Sequence, residues 1–433
     1  MKTVTILGTL ALALGLTSVG FAQSTSYKFD FGAGKVAKGF TKISSQDVYT
    51  DEIGYGFDNG TKVQDVDRGG KDPLKRDFVT STEPFYFSVK VPEGNYKVTL
   101  TLGDRKGDTR TTVKAESRRL MLEDLQTERG QFETKTFIVH IKDRKIDNEN
   151  QVKLKTRELT KLDWDNKLTF EFDLKAAVNA IEIEKADDQI TVFLAGNSTV
   201  VNQEQEPWAS WGQMVTRFFK SGVAIANHAE SGLSLGSFIS SNRLDKILSV
   251  IKPGDYVFVE FGHNDEKEKG PNDGPYKSYS ERLRLFAREV KKKGGNLVIL
   301  TPTARRSFNE EGRLNNTHGE YPDAAKKVAA EENVPLIDLT AQTTALYEAL
   351  GVEGSKNAFV IYPEKNLNDN THFNPYGAYE IAKIVVEGIK ANKLGLADYL
   401  VDTPAFDPTR PDAFETFNWP PSPAASLEKP DGN

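Results

Sequence analysis

Four short stretches carry residues able to make and break an acyl bond. In "TVFLAGNSTVV", residues 191 to 201, an apolar run that reads as a buried strand turns abruptly through Gly196, Asn197 and Ser198. A serine at a strand-to-helix junction is either a nucleophile or the cap of the next helix. "DNTHFNPYGAYEIAK" sets Asp369 three residues before His372. Asn374–Pro375 reads as a helix start, which puts both in the loop before that helix, where the spacing lets a carboxylate hold one imidazole nitrogen and leave the other as a base; taken in isolation, a D-x-x-H reads first as a polar loop whose Asp caps a turn. If Ser198 attacks a carbonyl, the oxyanion needs fixed donors. The amide of Ser198 itself at a helix start, the backbone amide of Gly232 in "ESGLS" and the side-chain amide of Asn264 in "EFGHND" are available.

These residues need a scaffold, and the hydrophobic pattern predicts two. From about residue 27 to 186 the apolar residues alternate, as in "FYFSVKV" at 85 to 91, "YKVTLTL" at 96 to 102, "KTFIVHI" at 135 to 141, "LTFEFDL" at 168 to 174 and "AIEIEKA" at 180 to 186. Period-two runs broken by turns such as "PEGN" predict an antiparallel β-sandwich. From 190 to 400 the strands "TVFLA", "DYVFVEFG", "NLVILTP" and "VPLIDL" alternate with helical stretches near 208 to 220, 236 to 251, 277 to 293, 322 to 333 and 375 to 391. That order predicts an α/β, three-layer, doubly wound parallel sheet, with the acidic "EKADDQ" at 184 to 189 as the boundary. Open parallel sheets handle ligands at the carboxyl ends of their strands, where Ser198 and Asn264 fall. Residues 401 to 433, ending in "PPSPAASLEKPDGN", read as a mobile Pro-rich tail.

Composition narrows the chemistry. The 433 residues carry a net charge of −6 with acid and base interspersed, so a nucleic-acid partner is set aside. Cysteine is absent, which excludes thiol nucleophiles, disulfides and cysteine metal sites. Five scattered histidines offer no metal site, and no cofactor is expected. Residues 1 to 22 have one early lysine, a short apolar stretch and a small-x-small site ending at Ala22. These mark a secretory signal, hence export to the periplasm or beyond and no membrane span in the mature chain.

Taken in order, "AGNSTVV", "SGLS", "GHND" and "DNTHFN" resemble the four sequence blocks of the SGNH/GDSL hydrolase superfamily, whose name lists the residues found here as Ser198, Gly232, Asn264 and His372. "EPWASWGQM" and "NNTHGEYPDAAKKVAAEENVPLIDL" are similar to the rhamnogalacturonan acetylesterases, carbohydrate esterase family twelve. The resemblance covers roughly residues 190 to 392. It implies a catalytic Ser198, His372 and Asp369, with Ser198, Gly232 and Asn264 forming the oxyanion hole. It also implies a substrate among acetylated plant cell-wall polysaccharides, pectic first, with acetylxylan or another ester as the alternative. One departure is Asn197, where the superfamily usually has aspartate. An asparagine keeps the hydrogen bonds of the turn without the charge.

His263 reads as structural, while His318 and His228 sit in loops where they touch substrate or nothing. Trp208 and Trp211 suit a core as well as a sugar-stacking platform, and Arg305 and Arg306 could pair with a uronate carboxylate. In the N-terminal half, "YKFDFGAG" and "GYGF" resemble galactose-binding-like jelly rolls, which either bind sugar or shape one wall of a cleft. A monomer is expected. A carbohydrate-binding protein with a decayed hydrolase domain stays open, on the evidence of Asn197 alone.

Overall fold

The computed structural model describes residues 26–431. The signal reading of residues 1 to 22 lies outside the described residues. Two sheets build the N-terminal half, antiparallel throughout except that Ser26–Phe31 and Thr41–Ile43 run parallel. One runs in the order Glu133–Ile141, Gly94–Leu102, Val178–Lys185, Ser26–Phe31, Thr41–Ile43, with Asp77–Thr80 also pairing with Val178–Lys185. The other runs Tyr55–Asp58, Phe85–Lys90, Lys167–Lys175, Thr109–Ala115, Arg119–Thr127. Alternation decides which side faces in. In Gly94–Leu102, Tyr96, Val98, Leu100 and Leu102 are buried while Lys97, Thr99 and Thr101 are partly exposed. Phe87 sits between the sheets with Phe29 and Phe31 edge-on at 5.3 and 4.9 Å.

The second half holds a five-stranded parallel sheet in the order Val223–Asn227, Ile190–Gly196, Tyr256–Glu260, Asn296–Leu300, Leu336–Ile337. Successive strand residues feed two cores. Phe193, Val257, Leu297 and Ile299 pack with the helices Leu235–Ser240, Arg243–Val250, Ser280–Lys292 and Tyr321–Glu332. Leu194, Phe258, Val298 and Leu300 pack with Trp211–Met214, Leu339–Gly354 and Pro375–Ala391. Strands buried on both faces explain why they read as continuous apolar runs rather than alternating ones. Because Ile190–Gly196 lies between the second and third strands of the series, the strand order reverses at its carboxyl end.

Several expectations need correcting. The stretch 236 to 251 is two helices, because Asn242 adopts a left-handed conformation (φ 64°) between them. The stretch 208 to 220 shortens to Trp211–Met214 and a 3₁₀ turn. The strand Val223–Asn227 and the helix Leu339–Gly354 were not foreseen from the sequence.

The expectation of a mobile tail from residue 401 is also corrected. Val401 donates to the Phe218 carbonyl, and Trp419 lies over the ammonium of Lys114 at 4.5 Å. Lys114 Nζ donates to Pro420 O (2.8 Å) and Ser422 Oγ (2.9 Å) and pairs with Glu171 (2.9 Å) and Asp173 (2.8 Å). Its side chain is 0% exposed, so this cation has no water to fall back on. Removing one partner of a buried ion pair leaves an uncompensated charge. Lys114→Met is therefore expected to cost about 3–5 kcal/mol, read as a lowered urea midpoint. The same variant should make the chain after Thr416 newly sensitive to protease.

Candidate active site

The turn after Ile190–Gly196 is fixed by its own backbone. A Cβ on Gly196 would lie 2.4 Å from Val200 Cγ2, so only glycine fits there. Asn197 Oδ1 accepts from the amide (3.0 Å) and hydroxyl (2.8 Å) of Thr199, and its carbonyl accepts from Val200 and Val201. Asparagine thus supplies the acceptor that the turn requires. Its Nδ2, buried and without a partner among the described residues, is the cost of the neutral side chain. Residues 198 to 200 form a turn rather than a helix, and the next helix begins at Trp211 behind Ser210. The helix-cap reading of Ser198 therefore fails, as does the expectation that its amide opens a helix. Glu260, at the end of the neighbouring strand, accepts from Thr199 Oγ1 (3.0 Å), Thr303 N (3.1 Å) and Trp211 Nε1 (2.7 Å).

Two side chains tie this turn to its neighbours. Gln203 Nε2 donates to the Ser198 carbonyl (3.0 Å) and reaches Ser231 Oγ (3.5 Å). Asn264 Nδ2 donates to the Leu233 carbonyl (3.0 Å), which fixes the orientation of its amide. Between them, Gly232 has a φ of +78°, in the left-handed region that favours glycine. Ser198, Gly232 and Asn264 are thereby gathered at the carboxyl edge of the sheet.

Asp369 and His372 sit in the strand Leu367–Phe373, paired antiparallel with Phe359–Tyr362, and not in the loop expected. The pairing holds the backbone extended while Asp369 turns back on its own chain. Its Oδ1 accepts from the amides of Thr371 (2.8 Å) and His372 (2.9 Å), and Oδ2 lies 2.9 Å from His372 Nδ1. Burial works against its charge, but the His372 side chain and these two amides hold its carboxyl down to about 2. Asn374 then caps Pro375–Ala391 through Gly377 N (3.0 Å), anchoring the strand end to a core helix. The Ala209 amide donates to Phe373 O (2.9 Å), which joins the loop after Ser198 to this strand.

The remaining expected contacts are placed differently. Trp208 is buried, edge-on to the His372 ring at 5.8 Å, with its indole N–H on the Ser426 carbonyl (2.9 Å). It can position the imidazole but offers no face to a sugar. His318 has Nε2 on Thr303 O (2.9 Å) and Nδ1 on Glu266 (3.0 Å), with Arg305 pairing with the same Glu266 at 2.5 Å. Arg306 donates to Ser355 Oγ (3.0 Å) and the Val352 carbonyl. The two guanidinium groups are thus already engaged by the protein. His263 stacks edge-on against His318 at 4.5 Å, and burial holds its ring well below the usual imidazole range. His228 packs between Phe193 and Trp164.

The N-terminal half reaches the site through the segment 155–164, which the sequence reading did not single out. Glu158 forms a buried pair with Arg243 (2.6 Å), docking this segment on the α/β half. Arg157 (2.7 Å) and Lys161 (3.0 Å) then pair with Glu230, next to Ser231 and Gly232. Burial alone would raise the Glu230 carboxyl, yet Lys161 and Arg157 hold it well below its ordinary value. The available signal was the charge density of "KLKTRELTKLDW" just before a strand.

Among the described residues no group of three or more histidine, aspartate or glutamate side chains could hold a metal ion, and no helix is long and apolar enough to cross a membrane. Residues 27–149 match the family described as beta-agarase/YXIM esterase-like, galactose-binding domain-like, and residues 194–378 match the GDSL-like lipase/acylhydrolase family. Rhamnogalacturonan acetylesterase RhgT of Bacillus subtilis (strain 168) is 46% identical over 222 residues, covering 49% of this chain and 94% of that protein. The uncharacterized esterase YxiM of the same organism is 28% identical over 399 residues, 89% of this chain and 95% of that one. The crystal structure of protein YXIM from Bacillus subtilis superposes with a TM-score of 0.45 at 26% identity, over 86% of this chain and 99% of that one. The chain is an esterase that belongs to the GDSL/SGNH hydrolases and carries a galactose-binding-like domain of the YXIM type before its α/β domain.

Proposed function

We propose that this esterase is exported and removes O-acetyl groups from an acetylated pectic polysaccharide, rhamnogalacturonan first, by a serine mechanism. The observation that carries the reading is the Asp369–His372 pair at 2.9 Å, on a strand tied through Phe373 O to the Ala209 amide in the loop after Ser198, with Gly232 and Asn264 near that turn. The relatives support the substrate class, since two from Bacillus subtilis (strain 168) are called rhamnogalacturonan acetylesterases, one of them with "probable".

In this mechanism Asp369 holds the Nδ1–H of His372, so that Nε2 accepts the Ser198 proton as Oγ attacks the acetyl carbonyl. The carbonyl oxygen becomes an oxyanion facing the amides of Ser198 and Gly232 and the Asn264 side chain. Collapse breaks the ester bond, and the sugar hydroxyl leaves with the proton from His372. Water then attacks the acetyl-serine by the same route, releasing acetate and restoring Ser198.

Asn264 Nδ2 spends one N–H on Leu233 O, which leaves the other for the oxyanion. Asn264→Ala is expected to lower kcat by about 10²–10³-fold with little change in KM, because the donor acts on charge that develops in the transition state. Acetate release from acetylated rhamnogalacturonan, homogalacturonan and xylan in parallel tests the substrate. Faster release from rhamnogalacturonan supports the proposal. Preferential release from xylan replaces the polymer, and no release from any of them or from an aryl acetate removes the reading.

A further inference from the structure

The segment 419–431 does more than pack on the N-terminal half. Glu206 accepts from Trp419 Nε1 (2.8 Å) and Ser422 N (3.1 Å), and its backbone pairs with Ala424 and Ser426. The chain then passes over Trp208 at Ser426, brings Lys429 Nζ to 3.2 Å from Asp369 Oδ2, and ends its course at Gly232. There the Asp431 carboxylate sits 2.6 Å from Arg157 Nη1 and 3.2 Å from Lys155 Nζ. A Cβ placed on Gly232 would touch both Asp431 Cβ (2.9 Å) and Lys155 Nζ (3.1 Å). The base of the Asp431 side chain therefore lies against Gly232, with its carboxylate turned to the two cations.

Neither cation needs Asp431 to hold its position. Arg157 uses Nε and Nη2 on Glu230 (3.0 and 2.7 Å), and Lys155 Nζ donates to the Ser231 carbonyl (2.7 Å). Lys155 and Asp431 line a cavity of about 380 Å³ with Gly232, Ser234, Asn264, Lys267 and Glu268, and Arg157 borders it through the Asp431 carboxylate. Glu268 is spoken for by Arg282 (2.5 Å) and Ser234 Oγ (2.6 Å). Without Asp431 the pocket is cationic on the side nearest the oxyanion donors. Such a pair of preplaced cations, one of them a guanidinium, recognises a carboxylate.

We propose that Lys155 and Arg157 form a uronate-carboxylate subsite of the acetylesterase, and that Asp431 is its internal occupant, displaced by the substrate's own carboxylate. The proposal rests on the function argued above, since it places the substrate's carboxylate within one sugar ring of the ester attacked by Ser198. It also gives the galactose-binding-like half a part in choosing substrate. The two side chains that read the carboxylate come from the stretch just before the strand Lys167–Lys175.

The test separates binding from turnover. In full-length Ser198→Ala protein, which holds substrate without consuming it, calorimetry compares acetylated rhamnogalacturonan oligosaccharide with the same oligosaccharide after its carboxyl groups are reduced to alcohols. Tighter binding of the acidic form is expected. Adding Lys155→Met should weaken that form by about tenfold, the worth of one charge-assisted contact. Adding Asp431→Asn should strengthen it about two- to fivefold, as fits a partly exposed ion pair that no longer competes. Arg157→Lys, which keeps the charge on Glu230, should fall between the unaltered protein and Lys155→Met, with the melting temperature reporting any loss of fold. Equal affinity for acidic and reduced oligosaccharides, or an Asp431→Asn protein that binds no tighter, overturns the subsite. Turnover by the Ser198-intact protein answers the separate question of the reaction. If it releases no acetate the esterase reading on this polymer fails, whatever the calorimetry shows.

Discussion

Ser198→Ala is expected to lower kcat on an aryl acetate by about 10⁵–10⁶-fold while leaving the fold intact. The size follows from the chemistry, because without a nucleophile attached to the protein, water must attack the ester directly. Only the oxyanion donors and substrate binding then remain, and these retain roughly 10³–10⁴ over the uncatalysed rate. Stability should hardly move. Among the described residues, Ser198 is held through its carbonyl, which accepts from Gln203 Nε2, and alanine keeps that group. The turn itself is maintained by Asn197 and Gly196. A change within about 0.5 kcal/mol in denaturant unfolding, together with loss of turnover, separates a nucleophile from a structural serine. Retained turnover would move the chemistry elsewhere.

The residues proposed to react were legible in the sequence because their neighbours constrain them locally. Gly196 must be glycine to clear Val200, Gly232 must be glycine at φ +78°, and Asn374–Pro375 announces a helix start that fixes the end of the strand bearing His372. Each of these signals lies within a few residues of the position it serves. The parallel sheet was legible for the same reason, since a strand buried on both faces is a continuous apolar run.

What escaped was decided over long distances. Arg305 looks free to meet a carboxylate until Glu266 and His318 are seen beside it, and both arrive from other loops. Trp208 is a sugar platform only while nothing covers it, and Ser426 does, 218 residues later in the chain. The segment 401–431 has the composition of a loose tail. Lys114, Glu206 and Arg157 lie more than 200 residues away in sequence, and they hold it down one residue at a time. Its apolar side chains, Val401, Phe406, Phe414, Phe417 and Trp419, are spaced without a helix or strand period among Pro and Asp, so hydrophobic periodicity could not reveal the docking. Residues 155–164 were passed over for a related reason. Dense charge carries no hydrophobic period, whereas ion pairs with Glu230 and Arg243 hold this stretch against the site.

Asp369→Asn should be nearly as damaging to turnover as loss of the serine, for a different reason. Asp369 Oδ1 is committed to two backbone amides, so an asparagine must keep its oxygen there and turn its NH₂ toward His372 Nδ1. That nitrogen then has to accept rather than donate. The ring proton moves to Nε2, and the nitrogen facing the serine can no longer take its proton. A loss of about 10³–10⁴ in kcat is expected, with KM little changed. The double variant Ser198→Ala, Asp369→Asn should be no slower than Ser198→Ala alone, because the acid works only through the imidazole and the serine. The acid side of the pH profile carries the sign of the same interaction. The folded value of Asp369 is depressed to about 2, so its stabilising charge is present above the unfolded value of about 3.9 and is lost only as pH falls toward 2. Any fall in kcat between pH 4 and pH 7 in the unaltered enzyme therefore belongs to another group. An activity profile whose acid limb disappears in Asp369→Asn would assign that limb to Asp369 and contradict the depressed value.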